Sequence, residues 1–262
     1  MKVPFYKYQG TGNDFVMIDN RQLHFPKNNT KLIQKLCDRR FGIGADGLIL
    51  LENDKISDFR MVYYNADGNE STMCGNGGRC IVAFAHFLGI IGQTTRFIAI
   101  DGEHVAEIQN EMVSLQMIDV NSISLGQSHV YLNTGSPHHV ELVTDLDFYP
   151  VKERGAEIRY SGRYGDKGSN VNFVVPISEN TFKVRTYERG VEDETLSCGT
   201  GVTAVAIAMH ALGETSLNSI DLLTLGGLLH VSFEKDGHAY TDIYLKGPAQ
   251  QVFEGVIDLI EG

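Results

Sequence analysis

The sequence predicts an α+β protein of two pseudo-symmetric lobes, each a curved, mainly antiparallel sheet wrapped around a central buried helix. Three observations favour this fold class. A segment of the chain occurs twice, at residues 71–89 and 195–213. Each copy contains a helical stretch with hardly any polar residue, and short runs rich in β-branched and aromatic residues flank each copy. Helices of this kind need a sheet around them to bury their apolar surface.

The two copies of the repeated segment align without a gap at an offset of 124 residues, from Cys74 to Cys198. At this offset His86 matches His210, and the glycines after each cysteine and the closing Leu-Gly pair also coincide. Self-similarity at one fixed period is typical of duplicated supersecondary units. We therefore expect one structural unit to be present twice.

The apolar character of the two repeated helices is nearly complete. Between Cys80 and Leu88 only His86 is polar, and between Val202 and Leu212 only Thr203 and His210 are polar. A helix without a solvated face must be enclosed by other parts of the protein. Each is therefore expected at the centre of its lobe.

The segments around these helices predict the remaining elements. Residues 6–21 read as strand, glycine loop and strand, and residues 29–42 have helical spacing that places Cys37 in a core. Asp101-Gly102 and Asp236-Gly237 are hairpin signals between strand-like runs. Each half of the chain therefore reads as strands, one central helix and more strands.

The domain boundaries follow from this order. We expect an N-terminal lobe at residues 1–118 that carries Cys74, and a C-terminal lobe at residues 119–251 that carries Cys198. Residues 119–128 are the best candidate linker, and the tail at residues 252–262 is expected to pack back on the first lobe. The active site is expected in the cleft between the lobes.

Composition excludes several classes of protein. The net charge is −11 and no run of Lys or Arg occurs, which argues against a nucleic-acid partner. No apolar run approaches the roughly 20 residues that span a bilayer, and the first ten residues lack the apolar core of a signal peptide. We therefore expect a cytoplasmic protein without a membrane partner.

Four cysteines without a C-x-x-C or H-E-x-x-H pattern predict neither a disulfide scaffold nor a metal site.

A thiol at the start of each repeated helix suggests a specific chemistry. Helix N-termini carry unpaired N–H groups and partial positive charge, which favour thiolates and bind anions. If the two lobes face each other, a substrate carboxylate can share both helix starts while its α-carbon lies between the sulfurs of Cys74 and Cys198. One sulfur, as thiolate, removes a proton from one face, and the other, as thiol, delivers one to the opposite face. This arrangement predicts stereoinversion without pyridoxal phosphate.

Several motifs carry a family resemblance that covers almost the whole chain. They are "GTGNDF" at 10–15, "FGIGADG" at 41–47, "YYNADGNESTMCGNGGRC" at 63–80, "GSPHHV" at 135–140, "NVNFV" at 170–174, "YERGVEDETLSCGTG" at 187–201 and "GPAQQVFEG" at 247–255. Together they resemble the diaminopimelate epimerase family. The resemblance implies a homodimeric, cofactor-independent and metal-independent isomerase. Its small-molecule substrates would be LL- and meso-2,6-diaminopimelate, precursors of lysine and peptidoglycan.

The resemblance also implies roles for individual residues. Cys74 and Cys198 become the catalytic acid/base pair. The residues expected around the reacting carboxylate are Gly75, Asn76, Gly199 and Thr200, and those expected to hold the other polar groups of the substrate are Asn13, Asn65, Asn170, Glu188 and Arg189. His138 is expected to support them by a hydrogen bond to a cysteine or to the substrate. Family members often carry glutamine in place of Gly47 and asparagine in place of Ser136, so individual substrate contacts differ here.

Two alternative functions remain open at this stage. A proline or hydroxyproline racemase of the same fold would act on a substrate without a distal amino-acid group, against which Asn65, Asn170 and Arg189 argue together. A thiol redox or binding protein could use Cys74 and Cys80, but this would leave Cys198 unexplained. The glycines at residues 42–47 match G-x-G-x-x-G, yet they follow a helix and precede a strand, the reverse of a dinucleotide site.

Overall fold

A computed structural model describes residues 1–259 of the protein. The chain divides into two compact units. The first unit consists of Met1–Leu115 with the segment from Pro248 onwards, and the second unit consists of Gln116–Gly247. Cys74 therefore lies in the first unit and Cys198 in the second. Of the C-terminal tail expected at residues 252–262, residues 260–262 lie outside the described part of the chain.

The helices and strands of the first unit come mostly from the N-terminal half. They are β1 (Lys2–Gly10), β2 (Asn13–Asp19), α1 (Thr30–Cys37), β3 (Gly47–Glu52), β4 (Phe59–Asn65), β5 (Glu70–Ser71), α2 (Gly75–Phe87), β6 (Thr94–Ala99), β7 (Gly102–Gln109) and β8 (Met112–Gln116). The second unit follows with β9 (Ile123–Leu125), β10 (Val130–Asn133), β11 (Pro137–Leu142), α3 (Val151–Arg159), β12 (Asn170–Ser178), β13 (Thr181–Glu188), β14 (Asp193–Thr195), α4 (Gly199–Leu212), β15 (Ser219–Thr224), β16 (Gly227–Asp236) and β17 (Ala239–Pro248). The chain then returns to the first unit as β18 (Gln250–Asp258).

The sheet of the first unit is mainly antiparallel with two parallel pairs. β1 pairs antiparallel with β18 and β2, and β2 pairs parallel with β3. β3 pairs antiparallel with β4, which pairs parallel with β6, and β6 and β7 form a hairpin. Each parallel pair needs a crossover connection, and α1 and α2 lie in these two connections.

The second unit repeats this connectivity. β10 pairs antiparallel with β11, β11 pairs parallel with β12 across α3, and β12 pairs antiparallel with β13. β13 pairs parallel with β15 across α4, and β15 and β16 form a hairpin. The order of pairings and helices from β10 to β16 is thus the order from β1 to β7. The predicted α+β class with two pseudo-symmetric, mainly antiparallel units is confirmed.

The two central helices are enclosed, as their sequences predict. Strands β1, β2, β3, β7 and β18 pack against α2, while β10 to β13, β15 and β16 pack against α4. In α2 all residues from Gly75 to Ala85 are buried, and in α4 all residues from Gly201 to Met209 are buried. Each fully buried aliphatic side chain, such as Ile81 or Ile207, contributes about 1.5–3 kcal/mol of stabilisation. These helices are therefore rigid supports for the residues at their N-termini.

Both central helices end at the repeated Leu-Gly pair. Gly89 has a φ of 68° and Gly213 a φ of 78°, the left-handed conformation that glycine adopts without steric cost. The N–H of Gly89 and that of Gly213 donate to the carbonyls of His86 and His210 respectively. The two helices therefore terminate by the same backbone turn.

Two features differ from the simple pattern of one central helix per lobe. α3 was not indicated by the sequence pattern, because only Val151, Gly155 and Ile158 of its residues are buried and its remaining face is polar.

The stretch at residues 119–128, the candidate linker, contains β9, which pairs with β10. In addition, Val120 forms a bridge with Tyr240 of β17, so this stretch is part of the second unit. In the first unit, α1 buries Cys37 as expected.

The question of a membrane span was tested on the described part of the chain. Within residues 1–259, none of the helices combines the length and apolar character that crossing a membrane requires.

Candidate active site

Cys74 is the N-cap residue of α2. Its backbone is extended, with φ of −103° and ψ of 149°, and its Sγ accepts a hydrogen bond from the N–H of Gly77 at 3.2 Å. This N–H is one of the helix donors without a backbone partner in the helix. The helix start therefore directs a donor at the sulfur.

Gly77 is required at this turn for a steric reason. A Cβ built on Gly77 would lie 3.1 Å from Cys74 Sγ and 3.2 Å from the Cδ1 of Ile49. Both contacts are tighter than normal van der Waals separations. Glycine at this position therefore allows the sulfur to approach the backbone of the first turn.

Asn76 and Asn13 are joined at the same helix start. Asn76 is 4% exposed, and its Nδ2 donates to the Oδ1 of Asn13 at 3.4 Å. The Nδ2 of Asn13 donates in turn to Asp46 Oδ2 at 2.5 Å. Asp46 is itself held by Arg39 at 2.8 Å. The predicted site residues Asn13, Cys74, Gly75 and Asn76 are thus brought together in the first unit, with Asp46 as an additional support.

Arg79 is a fully buried cation behind this group. Its guanidinium donates to Gly75 O at 3.1 Å, to Asn76 Oδ1 at 3.0 Å and to Thr11 Oγ1 at 3.1 Å. Burial lowers the pKa of Arg79 to about 10, so it stays charged near neutral pH. The positive charge and its donors fix the amide of Asn76 and the carbonyl of the first helical residue.

Asn65 lies at the end of β4 with an exposed side chain. Its N–H donates to Asn69 O at 3.0 Å, and its carbonyl accepts the N–H of Gly68 at 2.9 Å. The backbone of Asn65 therefore closes the turn that leads to β5, while its side chain is accessible to a ligand.

Cys198 is the N-cap residue of α4 in the second unit. Its side chain is 8% exposed, and its Sγ lies 3.5 Å from the hydroxyl of Thr200. The carbonyl of Gly199 accepts the hydroxyl of Thr203 at 2.9 Å, and the carbonyl of Thr200 accepts the hydroxyl of Thr134 at 2.8 Å. The first turn of α4 is therefore tied both to its own helix and to the loop after β10.

His138 is fully buried on β11 beside this helix start. Its Nε2 lies 2.9 Å from Thr200 Oγ1, and its Nδ1 lies 3.1 Å from the Nδ2 of Asn172. Burial, with a smaller effect from the positive charge of Arg189, lowers the pKa of His138 to about 3. The imidazole is therefore neutral near pH 7.

Asn170, Arg189 and Ser136 form one hydrogen-bonded group. The Oδ1 of Asn170 accepts the backbone N–H of Arg189 at 2.8 Å, and its Nδ2 donates to Ser136 Oγ at 2.9 Å. The Nη2 of Arg189 donates to the same hydroxyl at 3.4 Å. Ser136, where family members often carry asparagine, therefore lies between the two predicted substrate-binding side chains.

Glu188 ends β13, directly before Arg189. Its Oε2 accepts the hydroxyl of Thr195 at 3.1 Å, and its carbonyl accepts the N–H of Glu192 at 2.8 Å. Cys198, Thr200, His138, Asn170 and Arg189 are thus linked through contacts in the second unit, and Glu188 adjoins them along the chain.

The other two cysteines lie in apolar cores. Cys37 and Cys80 are 3% and 0% exposed. Burial raises the pKa of the Cys37 thiol to about 12, and it raises the pKa of the Cys80 thiol even further. Both side chains therefore remain protonated, which makes them poor nucleophiles and bases.

No metal site is formed by the residues that the structure describes. Within residues 1–259, no cluster of three or more His, Cys, Asp or Glu side chains has the arrangement to hold an ion. The polar groups around Cys74 and Cys198 are instead amides, hydroxyls and guanidinium groups, which are hydrogen-bond donors suited to carboxylate oxygens.

The residues of these networks that sequence reasoning missed include Arg79, Asn172 and Asp46. Arg79 is inside the "CGNGGRC" motif, but a charged residue on a helix is ordinarily assigned to a solvated face. Asn172 lies two positions after Asn170 in a strand, so period-2 alternation places both side chains on one face. That spacing could have found Asn172. Asp46 lies in a loop, where no periodic signal exists.

Comparison with known proteins identifies the family. The family model described as diaminopimelate epimerase matches residues 5–121 and 130–252. The diaminopimelate epimerase of Flavobacterium psychrophilum is 63% identical over 253 residues, covering 96% of this chain and 99% of the relative. That of Chlorobaculum tepidum is 43% identical over 260 residues, covering 95% and 99%. The family resemblance predicted from the motifs is confirmed.

Solved structures share the fold at low sequence identity. A Bacillus anthracis phenazine biosynthesis protein of the PhzF family has a TM-score of 0.78 at 14% identity, covering 99% of this chain and 100% of that chain. A hydroxyproline epimerase from Agrobacterium vitis, with bound trans-4-OH-L-proline, has a TM-score of 0.71 at 14% identity, covering 98% and 92%. These likenesses show the fold, whereas the family match and the relatives of high identity show the kind of enzyme. The chain is an isomerase of the diaminopimelate epimerase family.

Proposed function

We propose that this protein interconverts LL- and meso-2,6-diaminopimelate without a cofactor, with Cys74 and Cys198 as the acid/base pair. Membership of the diaminopimelate epimerase family assigns the substrate and a role in lysine and peptidoglycan precursor biosynthesis. The observation that carries the mechanism is that pseudo-equivalent cysteines are the N-cap residues of the two buried central helices. A duplicated acid/base group is what inversion at one carbon requires.

The reaction needs one thiolate and one thiol. The thiolate removes the α-proton of one amino-acid centre, which breaks the C–H bond and leaves its electron pair on the carbon and carboxylate. The thiol on the opposite face then donates its proton to that carbon, and a new C–H bond forms with inverted configuration. The net number of protons is unchanged, and the two sulfurs have exchanged protonation states.

The helix starts supply the stabilisation that this proton transfer needs. The backbone N–H groups of Gly75, Asn76, Gly199 and Thr200 belong to the first turns of α2 and α4, where the helix carries partial positive charge. In the proposed complex they hold the reacting carboxylate. Fixed donors at the site of developing negative charge lower the barrier without reorganisation. In the proposal, each lobe contributes one thiol and one set of donors to the same substrate.

The distal amino-acid group of diaminopimelate needs its own contacts. In the proposal, Arg189 binds the distal carboxylate through its two-pronged guanidinium, which suits a planar carboxylate. Asn13, Asn65, Asn170 and Glu188 hold the remaining polar groups. The contacts of Ser136 with Asn170 and Arg189 support this assignment, because they hold both side chains in one place. His138 supports the site through Thr200.

The alternatives from the sequence are less well supported. A redox role for Cys74 with Cys80 is disfavoured, because Cys80 is fully buried and burial raises the pKa of its thiol. A hydroxyproline epimerase activity would be supported only by a solved structure that is 14% identical to this chain. A likeness at this level of identity shows the fold alone. Trans-4-OH-L-proline is consequently a suitable negative control substrate.

Deuterium exchange tests the two-thiol mechanism. LL-diaminopimelate is incubated with enzyme in deuterated water containing EDTA and no pyridoxal phosphate, and proton NMR follows both pools. Early product is expected to carry deuterium at the inverted centre while unreacted substrate stays protiated. Equal early labelling of both pools would show a single base. Turnover of trans-4-OH-L-proline in place of diaminopimelate would overturn the substrate assignment.

Cysteine variants provide the matched comparison. Cys74→Ala and Cys198→Ala should each lower kcat by about 10²–10⁴-fold, the usual contribution of a general acid or base. Cys37→Ala and Cys80→Ala should retain the chemistry and lose only stability, because both thiols are buried in apolar cores. Near-normal turnover in Cys74→Ala or Cys198→Ala contradicts the mechanism.

We also propose a homodimeric assembly and a cytoplasmic location, which the family resemblance implies. Sedimentation equilibrium of the purified protein and fractionation of cells measure these two properties. A monomer over the working concentration range, or recovery outside the cytoplasmic fraction, would contradict them.

A further inference from the structure

Asn172 is a buried residue on β12 whose orientation is fixed by the backbone. Its side chain is 0% exposed, and its Nδ2 donates to the carbonyl of His139 at 3.0 Å. Its Oδ1 accepts the hydroxyl of Thr186 at 3.0 Å. Since a backbone carbonyl can only accept, the amide nitrogen must face His139. The second hydrogen of this nitrogen then points at His138 Nδ1, which lies 3.1 Å away.

The donor from Asn172 sets the tautomer of His138. Because Nδ1 accepts a hydrogen bond and the ring is neutral, its hydrogen resides on Nε2. Nε2–H donates to Thr200 Oγ1 at 2.9 Å. Asn170 Nδ2 also lies 3.5 Å from this nitrogen, but its two hydrogens are directed at closer acceptors, Ser136 Oγ at 2.9 Å and Pro137 O at 3.2 Å.

The hydroxyl of Thr200 is thereby oriented. Its oxygen accepts from His138, which leaves its own hydrogen for another acceptor, and Cys198 Sγ lies within reach, 3.5 Å from the oxygen. A hydrogen bond donated to a thiolate favours the charged form of the sulfur. We name the hydrogen-bonded series of Asn172, His138, Thr200 and Cys198 the Cys198 network.

Close packing at Gly201 holds the ends of this network together. A Cβ built on Gly201 would lie 2.6 Å from the Oδ1 of Asn172 and 3.4 Å from the Sγ of Cys198. Both ends of the Cys198 network therefore approach one point on the first turn of α4. Only glycine at this position leaves space for both.

The corresponding position in the first unit is built differently. Thr200 matches Asn76 at the repeat offset, and Cys74 Sγ accepts the backbone N–H of Gly77 at 3.2 Å. The amide of Asn76 is turned to Asn13 and Arg79. Position 200 therefore presents a hydroxyl to its cysteine, whereas the matching position 76 carries an amide.

We propose that Asn172 and Thr200 are positioning residues for Cys198: Asn172 fixes the His138 tautomer, and Thr200 thereby directs its hydroxyl hydrogen at the sulfur. The inference rests on the proposed acid/base role of Cys198. It makes Thr200 a side-chain donor to the thiolate, in addition to a backbone donor to the substrate carboxylate.

The charges of the ionisable groups around α4 are compatible with these hydrogen positions in the Cys198 network. His138 on β11 is neutral near pH 7, since burial lowers its pKa to about 3. Glu188 and Arg189 lie at the end of β13 beside the helix start. On β15 and β16, Asp221 and His230 bind each other at 2.7 Å. The hydrogens of the Cys198 network therefore keep their directions between about pH 6 and pH 9, where thiols titrate.

Alkylation of the intact protein without substrate tests the Cys198 network. Iodoacetamide rates at Cys198 and Cys74 are measured from pH 6 to pH 10 by mass spectrometry of their separate peptides. Removing the hydrogen bond that the hydroxyl donates to the charged sulfur should lower the thiolate fraction at a given pH about tenfold. Thr200→Val should therefore raise the pH midpoint for alkylation of Cys198 by about one unit. Thr200→Ser, which keeps the hydroxyl, should retain the midpoint, and Cys74 in the same samples is the internal reference.

Two further variants separate positioning from general structural damage. Thr203→Val removes a buried hydroxyl from the same helix and should leave the Cys198 midpoint unchanged. Asn172→Leu should shift the midpoint in the same direction as Thr200→Val, and the double variant should shift it no further than Thr200→Val alone, because Asn172 acts through Thr200. An unchanged midpoint in Thr200→Val, an equal shift at Cys74, or additive shifts in the double variant would overturn the inference. Since no substrate is present, these outcomes are independent of whether the two-thiol reaction occurs.

Discussion

At the scale of single residues, the two thiols are held by neighbours whose polar atoms are almost all satisfied. Arg79 is buried with donors directed at Gly75 O, Asn76 Oδ1 and Thr11 Oγ1. His138 is neutral because burial lowers its pKa to about 3, and Asn172 and Thr200 lie within hydrogen-bond distance of its two nitrogens. A buried polar group is tolerated when its hydrogen bonds are made, and it then rigidifies its surroundings. The side chains at both helix starts are therefore held in place by their own hydrogen bonds.

The buried state of His138 predicts a pH dependence of folding. In the folded protein its pKa is about 3, well below the ordinary 6.5, because burial opposes the charged ring. Between these two pH values the unfolded chain binds a proton that the folded chain does not. The stability that neutral His138 contributes is therefore complete above pH 6.5 and is lost as the pH falls, by about 1.4 kcal/mol per pH unit.

The measurement compares wild type with His138→Gln, which cannot titrate. Urea unfolding at pH 7, 6 and 5 gives the free energy of unfolding of each protein. The free energy of unfolding of wild type minus that of His138→Gln should fall by about 1.4 kcal/mol for each pH unit below 6.5. A difference that stays constant with pH would show that this histidine titrates equally in the folded and unfolded chains.

At the scale of elements, the sequence predicted those helices whose pattern is strong and missed the helix whose pattern is weak. α2 and α4 are apolar on nearly every side. Their sequences align without a gap at one offset, and this alignment revealed the duplication. α3 buries little more than Val151 and Ile158, so its apolar residues do not form a clear helical pattern. The pairing of β2 with β3, and of β11 with β12, is parallel. Such pairs depend on contacts between strands that local patterns do not contain.

The first turn of α4 provides a prediction at this scale. In Gly201→Ala the added Cβ would come 2.6 Å from Asn172 Oδ1, so the buried Asn172 side chain, the helix start or β12 must move. Overpacking of this kind costs about 1–3 kcal/mol of stability. Because Cys198 begins the same turn, kcat should fall as well. Thermal unfolding and steady-state kinetics measure the two effects.

Gly92→Ala is the matched control for this substitution. A Cβ on Gly92 meets nothing within 4 Å, so this variant should retain both stability and kcat. If Gly201→Ala behaves like Gly92→Ala in both measurements, the first turn of α4 is not closely packed against Asn172.

At the scale of the whole molecule, the path of the chain determines how the first unit is completed. β1 begins at Lys2 and pairs with β18, whose last residue is Asp258, and the N-terminal amino group donates to Leu259 O at 3.0 Å. Local sequence patterns predicted that the tail would return, but not the strand it would pair with. The same limit applies to the site. Motifs identified Cys74, Cys198 and the asparagines, whereas the contacts of Arg79 and Asn172 depend on strands distant in sequence.

This connectivity predicts an order of folding. The second unit is one continuous segment, and α4 and its surrounding strands form from residues within it. Pairing of β1 with β18 closes a loop of nearly the whole chain. Loop closure costs about (3/2)RT ln n, which is roughly 5 kcal/mol for about 250 flexible residues. Prior folding of the second unit shortens the flexible part of this loop and thereby reduces the cost.

Pulse-labelling hydrogen exchange during refolding from urea measures this order directly. Amides of α4 between Val202 and Met209, which are buried in the second unit, should gain protection first. Amides of β18 that donate to β1 should gain protection in a later phase, because contacts of high sequence separation form slowly. A variant that destabilises the second unit, such as Ile207→Ala in the core of α4, should delay β18 as well as α4. If β18 is protected as early as α4, or if Ile207→Ala leaves the β18 phase unchanged, the two units fold independently and the C-terminal strand does not wait for the second unit.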